Sequence, residues 1–150
     1  MRASRSPAAA LAAAVVLSAF LAGAPGPAAG GQDSAKPAGA VQPVSWDGWL
    51  AAKANAEKHD AAGNLVAALQ YYLEYVRQAR GLENPVRVAW GLNNAAFMII
   101  KMFRQDPTVD LAPAAKLLED GLAVAGATED CRKRLAQNLD YVRSRLGAGR

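Results

Sequence analysis

Helix-opening and helix-stopping residues constrain this chain more than any other feature. They recur at Ser45, Gly63-Asn64, Gly81, Asn84-Pro85, Asp110, Gly126 and Thr128, and the apolar residues between them fall at three- and four-residue steps. No stretch alternates with a period of two, so no sheet is expected. Five helices follow. The first runs from Trp46 to about Ala62, with Ser45 as its cap and Asp47 in the dipole-favoured first turn. The second runs from Leu65 to Arg80, capped by Asn64 and stopped by Gly81. Asn84-Pro85 opens a third helix, which ends near Phe103; it is apolar nearly all round, so it should be the central, most buried element. The fourth runs from about Leu111 to Ala125, capped by Asp110 and stopped by Gly126. The fifth runs from Glu129 to Leu146, capped by Thr128, with Leu135, Leu139, Val142 and Leu146 on its apolar stripe. Links of one to a few residues force successive helices to lie antiparallel. Aromatic residues make up only 7% of the chain, so the core must be built mainly from Ala, Leu and Val.

The N-terminal part reads differently. Arg2 and Arg5 precede an apolar run from Pro7 to Ala24, which is the pattern of an export signal over residues 1–24. Ala22-Gly23-Ala24 offers a cleavage site, with a second choice near Ala28 to Gly30. The run is at the short end for a membrane span, so no stable span is expected after cleavage. Residues 25–43 are rich in Pro, Gly and Ala, and read as a disordered, flexible linker. The folded domain is therefore expected over residues 44–150. Heavy use of Ala, Gly and Arg suggests a bacterium, and the leader places the protein in the periplasm or outside the cell.

Charge excludes one class of partner. Of 17 basic side chains, Arg2 and Arg5 belong to the leader, which leaves 15 against 13 acidic ones. The only basic run, Arg132 to Arg134, lies beside Glu129 and Asp130 and reads as a solvated helix face, so no nucleic-acid partner is expected.

Catalytic patterns are also missing. His59 is the sole histidine and reads as a residue stabilised near a helix C-terminus; no CxxC, HExxH or calcium-loop spacing occurs. The expectation is a non-enzyme with no cofactor and no metal. Cys131 is alone, so no internal disulfide can form. It is expected to pack as a small apolar residue, the alternative being a thiol that links two chains. The aromatic residues Trp46, Trp49, Tyr71, Tyr72, Tyr75, Trp90, Phe97 and Tyr141 suit core packing. Trp46 and Trp49 are the best candidates for an exposed anchor or for a staple holding the linker.

Small residues recur where helices would touch, Ala56 against Ala68 and Ala96 against Ala114. Together with the stretch AAGNLVAALQYYLEY from Ala61 to Tyr75, they make the chain resemble the tetratricopeptide repeat (TPR) family. Ala56 fits the small slot of helix A, and Ala68 with Tyr72 fits the A-x3-aromatic pattern of helix B. Ala96, Ala114 and Gly121 continue the likeness in a second repeat, while Ala52, His59 and Tyr75 depart from it. The resemblance implies an all-α, right-handed stack of antiparallel helical hairpins: about two repeats and a cap helix. It implies a module that binds another envelope or secreted protein, or a peptide, in a groove lined by its A helices. Carried over by register, the groove residues are Lys53, Glu57 and Asp60 in the first repeat, and Asn93, Phe97 and Lys101 in the second. Two repeats are fewer than the usual three, which favours support from a partner or a second copy. The alternative is a self-associating structural bundle of the envelope, joined through the leucine stripe of the fifth helix or through Cys131.

Overall fold

A computed structural model of the chain describes residues 43–148, of which all but the last are described with their side chains. The leader expected over 1–24, and all of the expected linker but Pro43, lie outside the described residues. Within them the protein is all-helical: α1 (Trp46–Ala61), α2 (Leu65–Gly81), α3 (Pro85–Gln105), α4 (Ala112–Leu122) and α5 (Glu129–Ala148), with no strand. None of these helices is long and apolar enough to cross a membrane.

The ends of the helices follow local chemistry. The Ser45 hydroxyl accepts the Gly48 N–H at 2.9 Å, opening α1. Gly63, at φ +76°, closes that helix, while the Asn64 N–H reaches back to the His59 carbonyl at 2.9 Å. The Asn84 side chain accepts the Arg87 N–H at 3.1 Å, and Pro85 occupies the first turn of α3. The Thr128 hydroxyl accepts the Cys131 N–H at 3.3 Å at the start of α5.

Four expectations are corrected. Asn64 stands at the start of α2, but its side chain makes no capping bond. Gly81 does not stop α2; it is the helix's last residue, and the left-handed position falls two residues later on Glu83, at φ +52°. Gly81 is small for a different reason: a Cβ there would stand 2.5 Å from Cγ2 of Val44, which crosses it. Helix α4 ends at Leu122, three residues before Ala125. Val124 packs against the apolar cluster around Tyr75 and Val88 and turns the chain there, before Gly126 at φ +86°. Leu146, expected on the buried stripe of α5, is 39% exposed.

Packing runs from each helix to the next, and α3 also meets α5. One apolar cluster draws on all five helices. A second joins Trp49 and Ala52 of α1 to Tyr75, Val76 and Ala79 of α2 and to Val88 and Leu92 of α3. Ala56, Ala68, Ala96 and Ala114 are all fully buried, as small residues at close helix contacts should be. Helix α3 is the central element: Met98, Ile99 and Ile100 are at most 6% exposed, and burying each is worth about 1.5–3 kcal/mol. Gly91, midway along α3, admits Tyr75 of α2, whose Cδ1 would lie 2.5 Å from any Cβ at that position. The bulky Tyr75 at a helix seam is thus matched by a glycine across it.

Side-chain contacts also set direction. Ser45 meets Gln78, Trp49 meets Tyr75 and His59 stacks on Tyr71, so α1 and α2 are antiparallel. Arg87 lies over Trp46 and Trp49, while Lys101 pairs with Asp60, so α1 and α3 run the same way. Asn93 meets Asn138 and Arg104 meets Tyr141, which gives α3 and α5 the same sense as well.

Candidate functional site

The seams where α3 lies beside α1 and α5 carry a row of polar and aromatic groups open to a partner. On α3, Arg87, Trp90, Asn94, Phe97, Lys101 and Arg104 fall at alternating three- and four-residue steps, and all six are partly or fully exposed. That spacing keeps side chains on one stripe of a helix with 3.6 residues per turn.

Five of the six residues expected in the groove lie along this stripe or beside it on α1. The Lys101 ammonium contacts both carboxylate oxygens of Asp60, at 2.6 and 2.8 Å, and lies 5.4 Å from the centre of the Phe97 ring. Lys53 pairs with Glu57 at 2.7 Å on α1. The two pairs are partly open to water, so each contributes only about 0.2–1 kcal/mol and can exchange for a partner's charges.

Asn93 departs from the set. It is 5% exposed, accepts a hydrogen bond from Nδ2 of Asn138 at 2.9 Å, and donates to Oδ1 of Asn94 at 3.2 Å. A strict four-residue step drifts by about 40° around the helix each time, so Asn93 is carried about 80° from Lys101 and turns into the seam with α5. Asn94, one residue on, takes the exposed stripe position.

Three groups absent from the expected set extend the site. Arg104 and Arg145 lie 5.0 and 5.3 Å from the centre of the same ring, Tyr141, and Arg104 also reaches Phe97 at 5.8 Å. Among the described residues, no carboxylate forms a salt bridge with either guanidinium. Arg104, chiefly through its hydrogen bond to the phenol, and Arg145 behind it hold Tyr141 below its ordinary pKa. The cluster joins two unneutralised cations to two aromatic faces. Its signal was present in the sequence as the three-four spacing of α3, but the contribution of α5 depends on which side that helix turns towards α3.

At the other end of the α1–α3 seam, the Arg87 guanidinium stands 4.5 Å from the Trp46 ring centre and 3.9 Å from that of Trp49. Trp49 is 7% exposed and belongs to the core, while Trp46 is 50% exposed. Cys131 is fully buried, and burial raises its thiol pKa. Among the described residues, no group of three or more His, Cys, Asp or Glu side chains is placed to hold a metal ion.

Comparison with known proteins finds no matching family model, no matching curated protein and no matching solved structure.

Proposed function

We propose that this chain is a non-catalytic, TPR-like helical-repeat module, exported into the bacterial envelope, that binds an extended segment of another protein along its α1–α3–α5 face. In this reading α1–α2 and α3–α4 are two degenerate repeats and α5 is the closing helix. The antiparallel hairpins, the like direction of α1, α3 and α5 and the four buried alanines support it. The observation that carries the binding reading is the placement of Arg104 and Arg145 on one Tyr141 ring beside Phe97, with no salt bridge from either to a carboxylate among the described residues. Two cations and two aromatic faces suit a segment carrying a carboxylate next to an apolar side chain. Charge sets its register and the ring contact supplies affinity. Lys53, Glu57, Asp60 and Lys101 then extend the contact along the seam between α1 and α3.

The test is selection from a random peptide library. Wild-type protein should enrich segments that combine Asp or Glu with an aromatic or large aliphatic residue. The double variant Phe97→Ala, Arg104→Glu should lose that enrichment while its helical circular dichroism stays unchanged. Enrichment that survives the double variant would overturn the reading.

A further inference from the structure

The outer side of α1 has the composition of a contact surface. Away from the α3 seam its exposed residues are Asp47, Leu50, Ala51, Ala54, Lys58 and Ala61, and Leu50 is 53% exposed. A helix face meant only for water carries charged and polar residues, as the outer side of α5 does with Arg132, Lys133, Arg134, Gln137 and Asp140. The two outer helices therefore differ: α5 presents charge, and α1 leaves aliphatic surface around Leu50, Ala51, Ala54 and Ala61.

The charges on that side of α1 are self-complementary. Asp47 and Lys58 are eleven positions apart, which is about three full turns, so they project from the same side near opposite ends of the helix. Neither forms a salt bridge among the described residues. Ala51 and Ala54 lie between them, symmetrically placed about the level of Ala52 and Lys53. Two α1 helices crossing antiparallel on a two-fold axis at that level bring Asp47 of each copy to Lys58 of the other. The same axis sets Ala51 of each against Ala54 of the other, small enough for axes about 8 Å apart. Leu50 of each copy then flanks the crossing and is covered.

We infer that the occupant of this face is a second copy of the same chain, in a two-fold dimer built on antiparallel α1 helices. The inference is independent of the peptide-binding reading, since it uses neither Arg104 nor Tyr141. It differs from self-association through α5, because Leu135, Leu139, Val142 and Cys131 are at most 4% exposed and already belong to the core.

Sedimentation equilibrium of the full chain, across about 1–500 µM, tests it directly. Wild type should fit a monomer–dimer equilibrium within that range. Ala51→Glu with Ala54→Glu places four carboxylates at the crossing and should raise the dissociation constant about a hundredfold. Both positions are exposed, so circular dichroism should not change. Asp47→Lys alone and Lys58→Asp alone should each weaken the dimer about tenfold. The double swap D47K/K58D should restore it, and mixing the two single variants should give heterodimers. A monomeric wild type, or a dimer unaffected by A51E/A54E, would overturn the inference. So would charge variants that weaken the dimer without rescue by the double swap.

Discussion

The fully buried side-chain amide of Gln78, in the last turn of α2, accepts the backbone N–H of Ser45 at 2.8 Å, tying the start of α1 to the end of its partner helix. The same amide donates to the Pro43 carbonyl at 3.1 Å and to Glu74 at 2.9 Å. A buried amide with all of these partners satisfied holds the entering chain in one place, and Gly48 makes room for it, since a Cβ there would stand 2.9 Å from Nε2.

Gln78→Ala should therefore cost about 2–3 kcal/mol, from the lost hydrogen bonds together with the cavity left behind. Ser45→Ala removes only the cap on the Gly48 N–H, and should cost about 1 kcal/mol. Urea midpoints of the two variants, measured side by side, check the ranking. Equal costs would mean that the helix cap, and not the amide hub, dominates this junction.

Glu74 gives the same region a dependence on pH. Hydrogen bonds from Arg77, with a smaller one from Gln78, outweigh partial burial and hold its carboxyl below the ordinary 4.5. A carboxyl depressed in the folded state binds fewer protons there than in the unfolded chain. Its stabilisation is thus complete above the unfolded value and is lost as pH falls through the folded one. The stability advantage of wild type over Glu74→Gln should be present at neutral pH, shrink once pH drops below about 4.5, and vanish at lower pH. Denaturation series at stepped pH would show the gap closing, and a gap independent of pH would remove Glu74 from this role.

The starts of α1, α3 and α5 were legible because caps act through residues adjacent in sequence, and α4, expected from about Leu111, starts at Ala112 with its N–H held by Asp110 at 2.9 Å. Ser45, Asn84-Pro85 and Thr128 each do locally what their chemistry dictates. The central burial of α3 was legible from its apolar girth. What escaped depends on neighbours far along the chain. Gly81 and Gly91 look like helix breakers, yet each is small because Val44 or Tyr75 crosses it. The early end of α4 depends on where Val124 finds its cluster. For the candidate site, the register carried over from the repeat resemblance named Phe97 and Lys101, which do share one stripe of α3. A one-residue shift of register hid Asn94 behind Asn93, and Arg145 could not be assigned before the rotation of α5 was known.

Glu83 holds a left-handed conformation, at φ +52°, in the turn after α2, where glycine is the residue of choice. A side chain in that region costs about 1–2 kcal/mol, part of which glycine returns through its greater freedom in the unfolded chain. Glu83→Gly should therefore stabilise the protein by about 0.5–1 kcal/mol, and Glu83→Ala should not. Thermal melting distinguishes them: a raised midpoint for the glycine variant alone identifies backbone strain as the cause.

Tyr141 supplies a reporter for the proposed peptide site. Arg104, through its hydrogen bond to the phenol, and Arg145 favour the phenolate and lower its pKa from the ordinary 10.0, whereas burial raises those of Tyr72 and Tyr75. In an ultraviolet titration Tyr141 should ionise before Tyr72 and Tyr75, and Tyr141→Phe should remove that early phase. Arg104→Gln should move it up towards the ordinary value. Because the folded value is the lower one, this residue adds stability as pH rises from its folded pKa towards the unfolded one. A carboxylate-bearing peptide that engages Arg104 takes over part of the cation's interaction and brings a negative charge beside the phenol, so bound peptide should raise the Tyr141 pKa. Peptide that binds tightly yet leaves the Tyr141 phase unmoved is held elsewhere on the protein, and the cluster of Phe97, Arg104, Tyr141 and Arg145 is then not its site.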